Sequence, residues 1–305
     1  MSQNAWQHHD IQVNGIRMHY VQAGHVGAAV DPKIVTLILL HGWPEFWYAW
    51  HKLIPLLEDR FAIIAPDLRG FGQTEKPPGS ALEAYRLEDH VADISALIDT
   101  LGLRNVGIVS HDVGAMVAQG LAQSVPEKLA GLFFFNVPYP GIGSRWAAPE
   151  HLNDIWYQGF HQQPWAAELL ATSRDAIRVY FANMLSAWAH DPHTFDDDIE
   201  AWVDNFAEPG NLQGGFNWYS AIFPRRLKIM QGAQVDWPVI DVPTCVRWGE
   251  HEPFMLIEYA DRLGEFFSDL DFAVAPDAGH FVHYEKPDYA AREIDAFFTR
   301  LAARA

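Results

Sequence analysis

The most chemically loaded stretch of the chain is Val109-Ser110-His111-Asp112-Val113-Gly114-Ala115. The uncharged run VGIVS before the turn reads as a buried strand, and the run Ala115 to Gln123 after it reads as a helix. A strand-turn-helix of this kind presents one side chain on a turn so tight that the residues two before and two after it must be small. With Ser110 at the centre the flanks are Ile108 and Asp112; with Asp112 at the centre they are Ser110 and Gly114. Sterics therefore select Asp112 over Ser110 as the nucleophile; the alternative role for Asp112 is an acid that caps the following helix. A carboxylate oxygen displaces a leaving group from a tetrahedral carbon and forms an alkyl ester, which water must then open. Opening it requires a base to activate the water and donors to hold the oxyanion.

For the base, Asp277-Ala278-Gly279-His280-Phe281 follows an apolar run and precedes a terminal helix expected from about Lys286. A histidine on a glycine-containing loop at a strand end is placed to reach a neighbouring elbow. The order nucleophile, acid, histidine favours His280 over His283, which lacks the preceding glycine. For the acid that orients it, Trp248-Gly249-Glu250-His251-Glu252-Pro253 offers both Glu252 and Glu250. For the oxyanion, VTLILL runs into His41-Gly42-Trp43-Pro44-Glu45. Glycine lets the backbone approach closely and proline removes a donor while fixing the turn. The backbone N–H groups of Trp43 and Val113 are the expected oxyanion donors, and His41 is read as a structural histidine.

These groups need a rigid frame, and the sequence supplies one. VTLILL (Val35–Leu40), FAIIA (Phe61–Ala65), VGIVS (Val106–Ser110), LFFFNV (Leu132–Val137), TCVRW (Thr244–Trp248) and LDFAVA (Leu270–Ala275) are short apolar runs. They read as strands buried on both faces, the mark of a parallel sheet between helices. Leu87 to Leu101 carries an apolar stripe, with Glu88, Asp89, Asp93 and Asp99 expected on its wet face. The fold class is therefore α/β. The alternation breaks from about Tyr139 to Trp237, where the pattern is helical and aromatic. Hence a core of 1–138 and 239–305 with a helical cap of 139–238 is expected. Seven of the 12 tryptophans (Trp146, Trp156, Trp165, Trp188, Trp202, Trp218 and Trp237) fall in that insertion. They are expected partly to pack the cap and partly to line an apolar cavity.

Composition narrows the partners. In 305 residues, Lys plus Arg is 21 and Asp plus Glu is 39, a formal charge of −18. That balance argues against nucleic acid and anionic membrane surfaces. A single cysteine, Cys245, and an N-terminus without an apolar core imply a cytoplasmic location, with Cys245 packed in a strand. His190 and His193 near Asp196, Asp197 and Asp198 form no fixed ligand motif, so no metal is expected, and no organic cofactor. Asp67 and Arg69 are read as a structural loop.

In combination and in this order, HGWPEFWYAW, PDLRGFGQTEKP, the SHDVG elbow and AGHFVHYEKP resemble the α/β-hydrolase superfamily. More narrowly, they resemble its epoxide hydrolases, whose aspartate elbow is shared with haloalkane and haloacid dehalogenases. The likeness covers nearly the whole chain. It implies an α/β-hydrolase core with an inserted helical lid, and a water-dependent opening of small to medium apolar epoxides by a monomer or homodimer. It also implies two lid tyrosines that hold the epoxide oxygen: Tyr157, in WYQGFHQQPWAAE, and Tyr219, in GFNWYSA. A phenol, with a pKa of about 10, donates to a nascent alkoxide without prior ionisation. The orienting acid in this family is most often Asp. The matching position here is Glu252, and the alternative position after the preceding strand holds Asn136. The first elbow residue is Ser110 where glycine is usual.

Two rivals share the fold. Haloacid dehalogenases of the fluoroacetate type place arginines directly after the nucleophile and three residues later, whereas this chain has Val113 and Met116. An unpaired carboxylate in a buried site would be costly, so an anionic substrate is disfavoured. Haloalkane dehalogenases place Trp after the nucleophile to hold halide, which Val113 cannot do. A non-catalytic ligand-binding homologue would not require the full set of reacting groups.

Overall fold

The computed structural model describes residues 6–25, 35–149, 151–233 and 237–304. Its frame is an eight-stranded sheet with the order β1-β2-β4-β3-β5-β6-β7-β8. The strands are β1 (Gln7–Val13), β2 (Ile16–Gly24), β3 (Thr36–Leu40), β4 (Ala62–Pro66), β5 (Val106–His111), β6 (Leu129–Phe135), β7 (Thr244–Gly249) and β8 (Leu270–Ala275). All pairs from β4 through β8 are parallel, while β1 and β2 are antiparallel to each other and β2 is antiparallel to β4. Strands β3, β4, β5 and β7 are buried along their whole length, as uncharged runs require.

Two features depart from the sequence reading. β8 was expected to be buried on both faces, yet it is an edge strand whose residues alternate, with Phe272 and Val274 exposed. The β1–β2 hairpin was not anticipated, although Asn14 and Gly15 both take positive φ (44° and 80°) at its turn. Asn-Gly between alternating runs is a hairpin signal in its own right.

The helix Leu87–Thr100 forms where the apolar stripe lies, but Asp93 is not on its wet face. It is buried, held by the Arg69 guanidinium through Nε at 2.7 Å and Nη2 at 2.6 Å. A buried carboxylate of this kind is tolerable only with such a partner. Asp67 is likewise internal, accepting from the Trp47 and Gln73 backbone N–H groups and pairing with His19 at 2.8 Å.

Among the described residues, the segment between β6 and β7 carries helices and no strand: Pro140–Ala147, Trp156–His161, Ala166–Leu170, Arg174–Trp188, Ile199–Ala207 and Asn211–Met230. It closes over the C-terminal ends of the parallel strands. The Trp202 indole donates to the Pro44 carbonyl at 2.8 Å, and the His280 N–H donates to the Trp188 carbonyl at 2.9 Å. Trp146, Trp188, Trp202 and Trp218 are buried there, whereas Trp156 and Trp165 are about half exposed. No helix among the described residues is long and apolar enough to cross a membrane.

Candidate active site

Asp112 stands at the junction of β5 and the helix Asp112–Ser124, with φ at 45°. That left-handed conformation is uncommon for a side-chain-bearing residue, and Asp is among those that tolerate it. The tightness of the turn is visible at Gly114, where a Cβ would run into the Leu40 carbonyl, and at Gly42, where a Cβ would stand 2.7 Å from Asp112 Cβ. The Trp43 N–H donates to Asp112 Oδ1 at 3.1 Å. Val113, in the first turn of the helix, has its N–H among the donors that a helix start leaves unused.

Trp43 is locked by its side chain. Its ring is fully buried among Phe71, His161, Phe181, Phe206, Phe216 and Tyr219. The loop that offers its N–H is also fixed from below by Glu45, which accepts from the Gly42 N–H at 2.6 Å, His111 Nδ1 at 2.8 Å and His283 Nε2 at 2.8 Å. Burial alone would raise the Glu45 carboxyl, but the two imidazoles outweigh it and hold it well below the usual range. His111 is raised because Glu45 overcomes the opposing effect of its burial. Burial pulls His283 down to about 4, so it is a neutral donor to Glu45 rather than a free base. The sequence reading did not find this Glu45–His111–His283 cluster. Its signal was the fully buried pairing of a glutamate in the HGWPE turn with two histidines, which needs three-dimensional proximity to recognise.

His280 is fully buried, and its Nδ1 lies 2.7 Å from Glu252 Oε2. The other Glu252 oxygen accepts from the Phe254 and Met255 N–H groups, both at 3.3 Å. Glu250 is exposed and accepts from the Asp277 N–H. Of the two competing carboxylates, it is therefore Glu252 that meets the imidazole. His280 Nε2 is buried without a hydrogen-bond partner, and its ring lies 4.4 Å from that of His111, the neighbour of Asp112. Asn136 clamps this loop: its amide donates to the Gly279 and His280 carbonyls at 3.1 and 2.6 Å and accepts from the Gly249 N–H at 2.8 Å. His41 makes structural contacts only, with Nδ1 against the Gly42 carbonyl and Nε2 accepting from the Leu68 N–H.

Above Asp112 lies a cavity of about 70 Å³. Asp112, Val113, Tyr157 and Tyr219 all line it, with an apolar wall that includes Met116, Trp218, Ile222 and Phe254. Tyr157 and Tyr219 come from different helices and meet edge to face, ring centroids 5.6 Å apart. Burial first, and the Asp112 carboxylate in addition, push both phenols well above their usual range. They therefore remain protonated donors at any ordinary pH. Gln158 Nε2 donates to Tyr157 Oη at 3.2 Å, which leaves the phenolic proton free to point elsewhere. Such an enclosure combines an elbow carboxylate, two neutral phenol donors and backbone N–H groups at the elbow. It can open a strained or activated C–O bond and retain the alkyl group as an ester.

Cys245 is buried in β7, and burial pushes its thiol up to about 12, so it packs rather than reacts. Arg225 and Arg226 also line the cavity, which the sequence reading did not foresee.

Comparison with known proteins fits this geometry. The alpha/beta hydrolase fold family matches residues 35–287. The soluble epoxide hydrolase of Corynebacterium sp. (strain C12) is 30% identical over 302 residues, covering 96% of this chain and 98% of that protein. Epoxide hydrolase 4 of Homo sapiens is 28% identical over 293 residues, covering 94% of this chain and 77% of that protein. Among solved structures, the epoxide hydrolase CorEH without ligand aligns with a TM-score of 0.80 at 26% identity, over 97% of this chain and 99% of that one.

Proposed function

The chain belongs to the α/β-hydrolase fold family, in its epoxide hydrolase branch, and we propose that it opens epoxides to vicinal diols through an ester on Asp112. The observation that carries this reading is the pairing of an elbow carboxylate with two protonated phenols on one cavity. Phenols serve a departing oxygen. A departing halide would need a halide-holding donor beside the nucleophile, and Val113 offers only its backbone there.

In the first step an Asp112 oxygen attacks a ring carbon as the C–O bond breaks, and Tyr157 or Tyr219 gives its proton to the ring oxygen. Both phenols hydrogen-bond that oxygen throughout. In the second, His280, oriented by Glu252, takes a proton from water as the hydroxide adds to the Asp112 carboxyl carbon. The N–H groups of Trp43 and Val113 hold the oxyanion. Collapse expels the diol oxygen, which recovers the proton from His280, and the second proton of the water restores the tyrosine. Every proton comes from water or a side chain, so the sequence requires neither metal nor organic cofactor. The helical insertion 139–238 acts as a cap that carries both phenols and excludes bulk water. The apolar wall suits small to medium epoxides with an apolar body.

A screen of aliphatic and aryl epoxides beside chloroacetate and fluoroacetate tests the reading. Diol formation without halide release supports it, and halide release without diol would transfer the chain to the dehalogenase rival. The phenols have a separate signature. Replacing Tyr157 or Tyr219 by Phe leaves one donor and is expected to slow alkylation of Asp112 roughly 10- to 100-fold, and replacing both roughly 1,000-fold. Single-turnover quenching of tryptophan fluorescence measures that step, and a double variant with the native alkylation rate would remove the phenols from ring opening.

A further inference from the structure

The cavity holds a cation that no described residue pairs with directly. Arg226 lines it, and among the described residues makes no ion pair and no hydrogen bond. Its guanidinium carbon stands 3.9 Å from the centre of the Trp146 ring, and the Asp112 carboxylate acts on it only through space across the cavity. Other arginines set against the protein are matched: Arg69 by Asp93, Arg247 by Asp271 and Glu293, Arg145 by Asp261. Even the adjacent Arg225, stacked on Trp237 at 4.6 Å, has Glu88 within 4.0 Å. A half-buried guanidinium stays charged, so a missing anion is a standing cost that a ligand can remove. A second observation points the same way. Trp237 Nε1, on the same cavity, is buried without a hydrogen-bond partner, and an indole N–H can only donate.

We propose that Arg226 and the Trp237 indole form an anion subsite in the reaction cavity, and that the substrates are epoxides with an apolar body ending in a carboxylate. The substrate half of this proposal rests on the epoxide reading above. Sequence pointed away from an anion because Val113 and Met116 stand where an elbow would carry arginines. Both do line the cavity as apolar groups, and the positive charge arrives instead from the helix Asn211–Met230. Tyr219, Ile222 and Arg226 are spaced i, i+3, i+7 on that helix and all line the cavity. Two turns separate the phenol from the arginine by about 10 Å along the axis. Helical side chains lean toward the N-terminus, which brings the guanidinium back toward the phenol. A ligand with roughly four to eight bonds between ring and carboxylate spans that gap. Short haloacids, with the carboxylate next to the reacting carbon, cannot.

Binding of hexanoate and hexanamide, which cannot react, tests the subsite by calorimetry. Hexanoate is expected to bind the native protein about tenfold or more tightly than hexanamide, an advantage lost in Arg226→Met, partly kept in Arg226→Lys and reduced in Trp237→Phe. Equal binding of acid and amide by the native protein overturns the proposal without any variant, as does an acid advantage that survives Arg226→Met. The substrate class is read from kcat/KM for a terminal epoxide of heptanoic acid against its methyl ester. The native enzyme is expected to favour the acid about tenfold through KM, with a ratio near one in Arg226→Met, and a native ratio near one overturns the substrate class. Arg226-dependent hexanoate binding with no turnover of either epoxide upholds the anion subsite and refutes the epoxide reading instead.

Discussion

Asp112→Ala is expected to lower epoxide turnover by roughly 10⁴-fold or more, with the fold retained. The size follows from what the substitution removes. Among the described residues no other carboxylate lines the cavity, and the groups nearest the elbow are neutral phenols, backbone N–H groups and histidines engaged by Glu45 or Glu252. The residual rate is that of an epoxide bound beside two phenols with no nucleophile but water. Folding is a fair expectation because the turn is dictated by its neighbours: Gly114 packs on the Leu40 carbonyl, and β5 is buried on both faces. Alanine at φ 45° adds a strain of about 1 kcal/mol, small against the stability of a domain this size. Turnover of a terminal epoxide together with thermal unfolding checks both parts. A folded variant with near-native turnover would remove Asp112 from the chemistry.

His280→Gln is expected to divide the reaction at its midpoint. Ring opening needs Asp112 and the phenols, so the first step survives. Opening the ester needs a base, and glutamine offers none, so the variant should form diol roughly 10²- to 10⁴-fold more slowly in the steady state. The protein then accumulates as the ester, and intact-mass spectrometry should find one substrate mass added per chain. Native protein under the same conditions should show little. Among the described residues the neighbouring histidines are tied elsewhere: His111 Nδ1 and His283 Nε2 are held by Glu45, and His41 has both ring nitrogens engaged. A variant that stops completely without any mass gain would place His280 in the first step instead.

How far the sequence revealed this depends on the kind of constraint. Asp112 was legible because the elbow imposes a steric rule on Ser110 and Gly114, neighbours in the chain. The strands β3, β4, β5 and β7 were legible because burial on both faces demands uncharged runs. Glu252 and Glu250 could not be separated by composition, since both follow the same strand within three residues. Only the turn of that loop sends one to His280 and the other to solvent. Asp93 looked like a surface acid because its partner, Arg69, lies 24 residues earlier on another loop. The edge position of β8 depends on strand order, which local pattern does not encode. The Glu45 cluster and Arg226 were hidden for the same reason. Glu45 meets His111 across 66 positions, and Arg226 faces a cavity floored by Asp112, 114 positions earlier in the chain.

The central claim is the covalent ester on Asp112, and one measurement meets it directly. A single turnover with enzyme in excess, in water enriched in heavy oxygen, should leave label in the Asp112 carboxylate and release diol that is largely unlabelled. The oxygen delivered to the substrate in that turnover comes from the carboxylate, and water replaces it. Label appearing directly in the first-turnover diol, with none in Asp112, would contradict the account.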